Sequence, residues 1–130
     1  MDILQLETKR EVQIIETLPE YGEMYCRTIY CWYDGPYIYV VSNNKYRFLV
    51  YWFDSTGAEI TYWYIPLSIE EQFALESHEL CLRSFMLKKE AKVLKVNKDS
   101  VHFLDDWLKI RTLNSEQLPE WNCFMDIEEI

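Results

Sequence analysis

Between Glu23 and Pro66 the chain leaves little room for helix. Aromatic and β-branched residues come in four runs: "EMYCRTIYCWY" (Glu23 to Tyr33), "YIYVVS" (Tyr37 to Ser42), "YRFLVYWF" (Tyr46 to Phe53) and "EITYWYI" (Glu59 to Ile65). Such residues fit a pleated, packed surface better than a helix. The gaps are turn signals: Asp34-Gly35-Pro36, "NNK" at Asn43 to Lys45, and "DSTG" at Asp54 to Gly57. Gly and Asn accept positive φ, and Pro presets the first turn angle. Short strands joined by short turns predict an antiparallel meander, with "EVQII" as a short strand before it. Only three Gly and four Pro occur in the chain, so each one punctuates.

After Pro66, which must end its strand or lie on an edge, the period changes. Ser68 stands three residues before Glu71, the spacing of a capping box. Ile69 and Phe73 lie four apart, which predicts a helix from Ile69 to Glu76 with both on one face. Leu82, Phe85 and Met86 predict a second short helix. "AKVLKVNK" (Ala91 to Lys98) reads as a late strand, and its three Lys as the guard of an exposed edge. Asp99 or Ser100 would cap a third helix carrying Val101, Leu104, Trp107 and Leu108. The expected fold is α+β: an antiparallel meander of about five strands, then two or three short helices. At 130 residues the chain fits one domain, with its core over about 12–112. An acidic segment follows at 114–130, with five acids and no Lys or Arg.

Both faces of the central strands are apolar. In the third run Tyr46, Phe48, Val50 and Trp52 alternate with Arg47, Leu49, Tyr51 and Phe53. A meander packed on one side only would show polar residues on the other. Helices are expected over one face. The other is either closed by curvature and the C-terminal segment, or left as an aromatic surface for a partner.

The net charge is −9. Nucleic acid is disfavoured as the main partner, because a phosphate-binding surface needs Lys and Arg to release counterions. No apolar run approaches the length of a membrane helix. Cys26, Cys31, Cys81 and Cys123 are scattered, and Met1 to Arg10 is mixed and polar rather than leader-like. Reduced thiols and a cytoplasmic location are expected.

Chemistry-bearing residues are sparse. Asp34, Gly35 and Pro36 read as a structural corner, since no His, Lys or second acid stands near Asp34 in sequence. His78 and Cys81 are the one plausible pair of zinc ligands, but no C-x-x-C accompanies them, so neither metal nor cofactor is expected. No nucleophile elbow or Gly-rich phosphate loop is present, and no catalytic residue is assigned. Arg27 and Arg47 interrupt aromatic strands, where a charge is costly unless paired. Either their stems cover apolar surface with the heads in water, or an Arg framed by rings such as Tyr51 and Trp63 forms a pocket for a nucleotide or acidic peptide. In the tail, Trp121 and Phe124 have the spacing of a short helix with one apolar face, able to dock on the domain itself or on a partner.

One set of motifs carries a resemblance. Tyr33-Asp34-Gly35-Pro36, Leu49-Val50-Tyr51-Trp52, Pro66-Leu67-Ser68 and the segment opened by Leu82-Arg83 stand in an order similar to an uncharacterised family of small bacterial domains. That family has a Y-D-G-P turn, an L-V-Y-W strand and a P-[IVL]-S helix start. The resemblance runs from Leu18 to Val96. It implies a fold, a bacterial or phage source and no mechanism. The expected function is a non-enzymatic protein-binding module, as an accessory or inhibitor subunit in a bacterial or phage defence setting. The alternative is a small-ligand or nucleotide sensor with an Arg-plus-aromatic pocket.

Overall fold

The computed structural model describes residues 15–32, 36–113 and 118. Within them a seven-strand meander runs in chain order: β1 (Ile15–Leu18), β2 (Gly22–Trp32), β3 (Pro36–Ser42), β4 (Arg47–Thr56), β5 (Glu59–Pro66), β6 (Glu90–Val96) and β7 (Val101–Phe103). Every neighbour is antiparallel. Two short helices, α1 (Ile69–Glu76) and α2 (Leu82–Leu87), are inserted between β5 and β6. The protein is therefore mainly β, and the expectation of a five-strand α+β meander closed by up to three helices is overturned.

The difference is concentrated after Ser100. Over Val101 to Leu108, where a third helix was expected, the chain instead returns along β6 as β7, then as β8 (Leu108–Lys109), followed by a 3-10 turn (Ile110–Thr112). The apolar spacing that imitates a helix comes from a strand broken by a bulge. Leu94 pairs with Phe103, yet Ala91 pairs with Leu108, so two extra residues loop out between the two stretches. Val101, Leu104 and Trp107 are exposed, while Phe103 and Ile110 go inward. This return also makes β6 an inner strand. Lys92 is buried there and Lys95 donates to Thr61 Oγ1 at 2.9 Å, so these lysines guard no edge.

α1 spans the expected residues, and its capping box is complete: Glu71 N donates to Ser68 Oγ at 3.0 Å, and Ser68 N to Glu71 Oε1 at 2.9 Å. Its orientation is reversed. Leu75 is buried, whereas Ile69 and Phe73 are 66% and 68% exposed. α2 buries Leu82, Arg83, Phe85 and Met86.

The sheet has a core on each face. On the helix side Val40, Leu49, Trp63, Ile65 and Val93 meet Leu75, Leu82, Phe85 and Met86 of the helices, together with Ile110 and Leu118. On the other side Met24, Tyr39, Val41, Phe48, Val50, Tyr64, Leu94 and Phe103 pack on one another. Among the described residues no helix covers this second face. It closes by curling: Tyr21, in the β1–β2 turn, meets Phe48 of β4 at 5.0 Å and Phe103 of β7 at 5.6 Å, ring to ring. Gly22, at φ +83, lets that turn leave Tyr21 pointing inward from the far edge. Of the two outcomes open for the second face, the described residues show the curvature; the C-terminal segment expected to share in that closure lies outside them except for Leu118, which packs on the helix side.

Candidate functional site

Antiparallel pairing brings the end of β1, the starts of β2 and β4, the ends of β3 and β5 and the start of β6 to one end of the curled sheet. The β3–β4 turn there is locked by Asn43. Its Oδ1 accepts from the amides of Lys45 and Tyr46, both at 2.9 Å, and its Nδ2 donates to the carbonyls of Tyr21 and Glu23, both at 3.1 Å. One side chain thus ties two neighbouring turns together, a stronger constraint than a local Asx turn alone.

At this end lies an open groove of about 440 Å3. Rings come from the curled face: Tyr21, Tyr46, Phe48 and Trp107. Charges come from the helix side and the turn: Arg47, Lys45, Lys89 and Glu71. Tyr21 meets Tyr46 edge to face at 4.8 Å, which fixes both rings. Trp107 sits in the bulge between β7 and β8, where an inserted residue re-aims a side chain. Beneath it, the buried Lys92 ammonium lies 5.6 Å from the Trp107 ring and 5.7 Å from that of Phe103. Glu20 Oε1 stands 3.7 Å from the same ammonium. Trp107 and Tyr46 keep 40% and 39% of their surface in solvent.

The cations differ in how far they are compensated. Lys89 pairs with Glu71 at 3.0 Å. Arg47 donates from Nη1 to Gln72 Oε1 at 2.8 Å, a neutral partner, and forms no ion pair among the described residues, so its charge faces the groove. Lys45 stands exposed in the turn. Burial would raise the Glu71 carboxyl, but bonds from the Ser68 amide and the Lys89 ammonium hold it below the ordinary glutamate value. Burial, with Glu20 and Tyr46 nearby, raises the Tyr21 phenol, which stays a neutral donor at pH 7.

The residues expected from sequence part company here. Of those whose side chains are described, Arg47 alone lines the groove. Trp63 is 2% exposed and stacks on Phe53 at 4.4 Å, with Tyr51 at 5.5 Å, so these rings build the helix-side core. Arg27 marks the first of three register shifts between β2 and β3, and its side chain lies outside the described residues. Pro36 opens β3 opposite Trp32. Asp34, Gly35, Trp121 and Phe124 lie outside the described residues. Cys81 caps α2, accepting from Ser84 N at 3.4 Å, and its thiol is lowered chiefly by the bond with the Ser84 hydroxyl. Among the described residues no three His, Cys, Asp or Glu side chains cluster as a metal site, and no helix is long and apolar enough to cross a membrane. Sequence reasoning missed Tyr21, Lys45, Tyr46, Lys89 and Trp107. One signal was legible: "KYRF" at Lys45 to Phe48 alternates cations with rings at a turn.

Neither curated proteins nor solved structures provide a match to this chain. A family model does match, over residues 13–130, and the chain belongs to that family, a family of unknown function (DUF6575).

Proposed function

We propose that the protein is a non-enzymatic binding module that holds an anionic ligand with a planar ring, such as a nucleotide, in the groove beside Arg47. The observation that carries this is the meeting of an Arg that forms no ion pair among the described residues with solvent-facing Tyr46 and Trp107, in a chain of net charge −9. Rings supply stacking area that tolerates many planar ligands, and a guanidinium grips phosphate or carboxylate with two parallel bonds. Binding rather than catalysis fits Glu71, the only acid among the described residues lining the groove. Glu71 spends Oε1 on the Ser68 amide and the Lys89 ammonium, and a carboxylate held ionised in this way is a weak base. Thermal unfolding and titration calorimetry with nucleoside mono- and diphosphates test the reading, since a ligand of the folded state raises its stability. A melting shift that Arg47→Gln or Tyr46→Ala removes is expected. No shift and no heat at millimolar ligand would sink it.

The exposed pair Ile69 and Phe73 favours a second reading, a protein partner meeting α1. In the bacterial or phage setting implied by the resemblance, such a module would serve as an accessory or inhibitor subunit. A partner that Phe73→Glu releases, with the fold retained, supports it. Capture unaffected by that substitution counts against it.

A further inference from the structure

On the other side of Tyr21 is a second hollow, of about 390 Å3. Tyr21 and Lys45 line both spaces, so the two cavities share one wall. Their chemistry differs. The groove offers rings and cations, whereas the hollow adds Glu23, Tyr25 and Asn44. Asn43 is consumed by the turns, but Asn44 and Glu23 are exposed, and their side chains have no hydrogen bond or ion pair with described residues. Lys45 is equally uncommitted, and it stands where the two spaces join.

Building on the groove reading above, we infer that groove and hollow form one two-chambered site. Its ligand carries a planar ring, an anionic bridge and a hydroxyl-rich end, the chemistry of a nucleoside diphosphate joined to a sugar. The ring stacks against Tyr46 and Trp107 in the groove. The anionic bridge passes Lys45, within the field of Arg47. The far end enters a chamber where the Glu23 carboxylate repels a further anion and accepts from hydroxyl groups, while the Asn44 amide both donates and accepts. Each cavity alone lies toward the small end of the range of ligand pockets, roughly 300–1,000 Å3. A ligand filling both is longer than a nucleoside monophosphate.

The test is calorimetry on the full chain with three base-matched pairs: ADP and ADP-ribose, GDP and GDP-mannose, UDP and UDP-glucose. In at least one pair the sugar-linked compound is expected to bind at least tenfold more tightly. Asn44→Ala and Glu23→Ala should erase that advantage and leave the plain diphosphate unchanged. Both residues are exposed, so these variants keep the fold. Tyr46→Ala should weaken both members of the pair. Equal affinity within every pair would overturn the two-chambered site and leave the groove standing. Failure of all six to bind would overturn both readings.

Discussion

The two faces of the sheet solve the same problem differently. The helix side is sealed by α1 and α2 with Leu, Phe and Met against Trp63 and Leu49. The other side is sealed by the sheet's own curl, with rings meeting edge to face: Tyr21 on Phe48, Phe48 on Tyr64, Tyr64 on Phe103. Helices can be slid over a flat face until it is covered. Curvature closes a face along its length but leaves its ends open. The groove occupies such an end, where rings of the curled face meet cations of the helix face. The contrast teaches that the candidate site is a product of how the second face closes.

The largest effect should separate the faces directly. Trp63→Ala removes a fully enclosed indole and is expected to cost about 3–5 kcal/mol in urea unfolding. Phe48→Ala removes a ring of the curled face that also lines the groove. Water or neighbouring rings can enter its void, so roughly 2–3 kcal/mol is expected. If Phe48→Ala costs more than Trp63→Ala, the curled face is the tighter of the two and the comparison breaks.

Lys92→Met should come next, at about 1 kcal/mol. It keeps the buried stem and deletes only the ammonium beneath Trp107. The Glu20 partner is too exposed to contribute much. A loss of several kcal/mol would mean that the curled core depends on this charge.

The helix side has its own polar seam. Ser68→Ala should cost about 1 kcal/mol through loss of the cap. Glu71 adds a pH dependence. Its folded pKa is depressed, so its contribution is complete above the ordinary glutamate value and is lost as pH falls through the lower folded value. Unfolding curves of the protein and of Glu71→Gln should therefore diverge at neutral pH and converge in acid. A difference that persists at low pH would show that the carboxylate charge is not the source.

Tyr46→Ala comes last, at about 0.5–1 kcal/mol, since the half-covered ring loses mainly its edge-to-face contact with Tyr21. It sharpens the comparison by dissociating the two readouts, since ligand binding should fall far more than that modest loss of stability accounts for.

Much of the sheet was legible because its signals are local. Turn residues at Asn43 to Lys45 and the alternation in Tyr46 to Phe53 specify strands wherever the chain goes. The capping box of Ser68 and Glu71 likewise specifies where α1 begins. The face α1 presents was not legible. Ile69 and Phe73 have core spacing, yet Leu75 is the residue that the sheet receives. The stretch after Ser100 was misread because a two-residue bulge in a strand yields apolar spacings of three and four, like those of a helix. The groove was the least legible part. Its residues span Tyr21 to Trp107 and become neighbours only when β7 returns to the edge of β6 and the β1–β2 turn reaches across to it.

By itself the sequence determined the strands from β2 to β6, the two helices between β5 and β6, and the apolar character of both sheet faces, because each depends on residues within a few positions of one another. Tertiary structure alone decided that the second face closes on itself, that Lys92 goes inside, and that Arg47 keeps company with Tyr46 and Trp107 rather than with Tyr51 and Trp63. The reason is physical: curl and register accumulate over seven strands, and the residues they bring together are too far apart in the chain for any local preference to record.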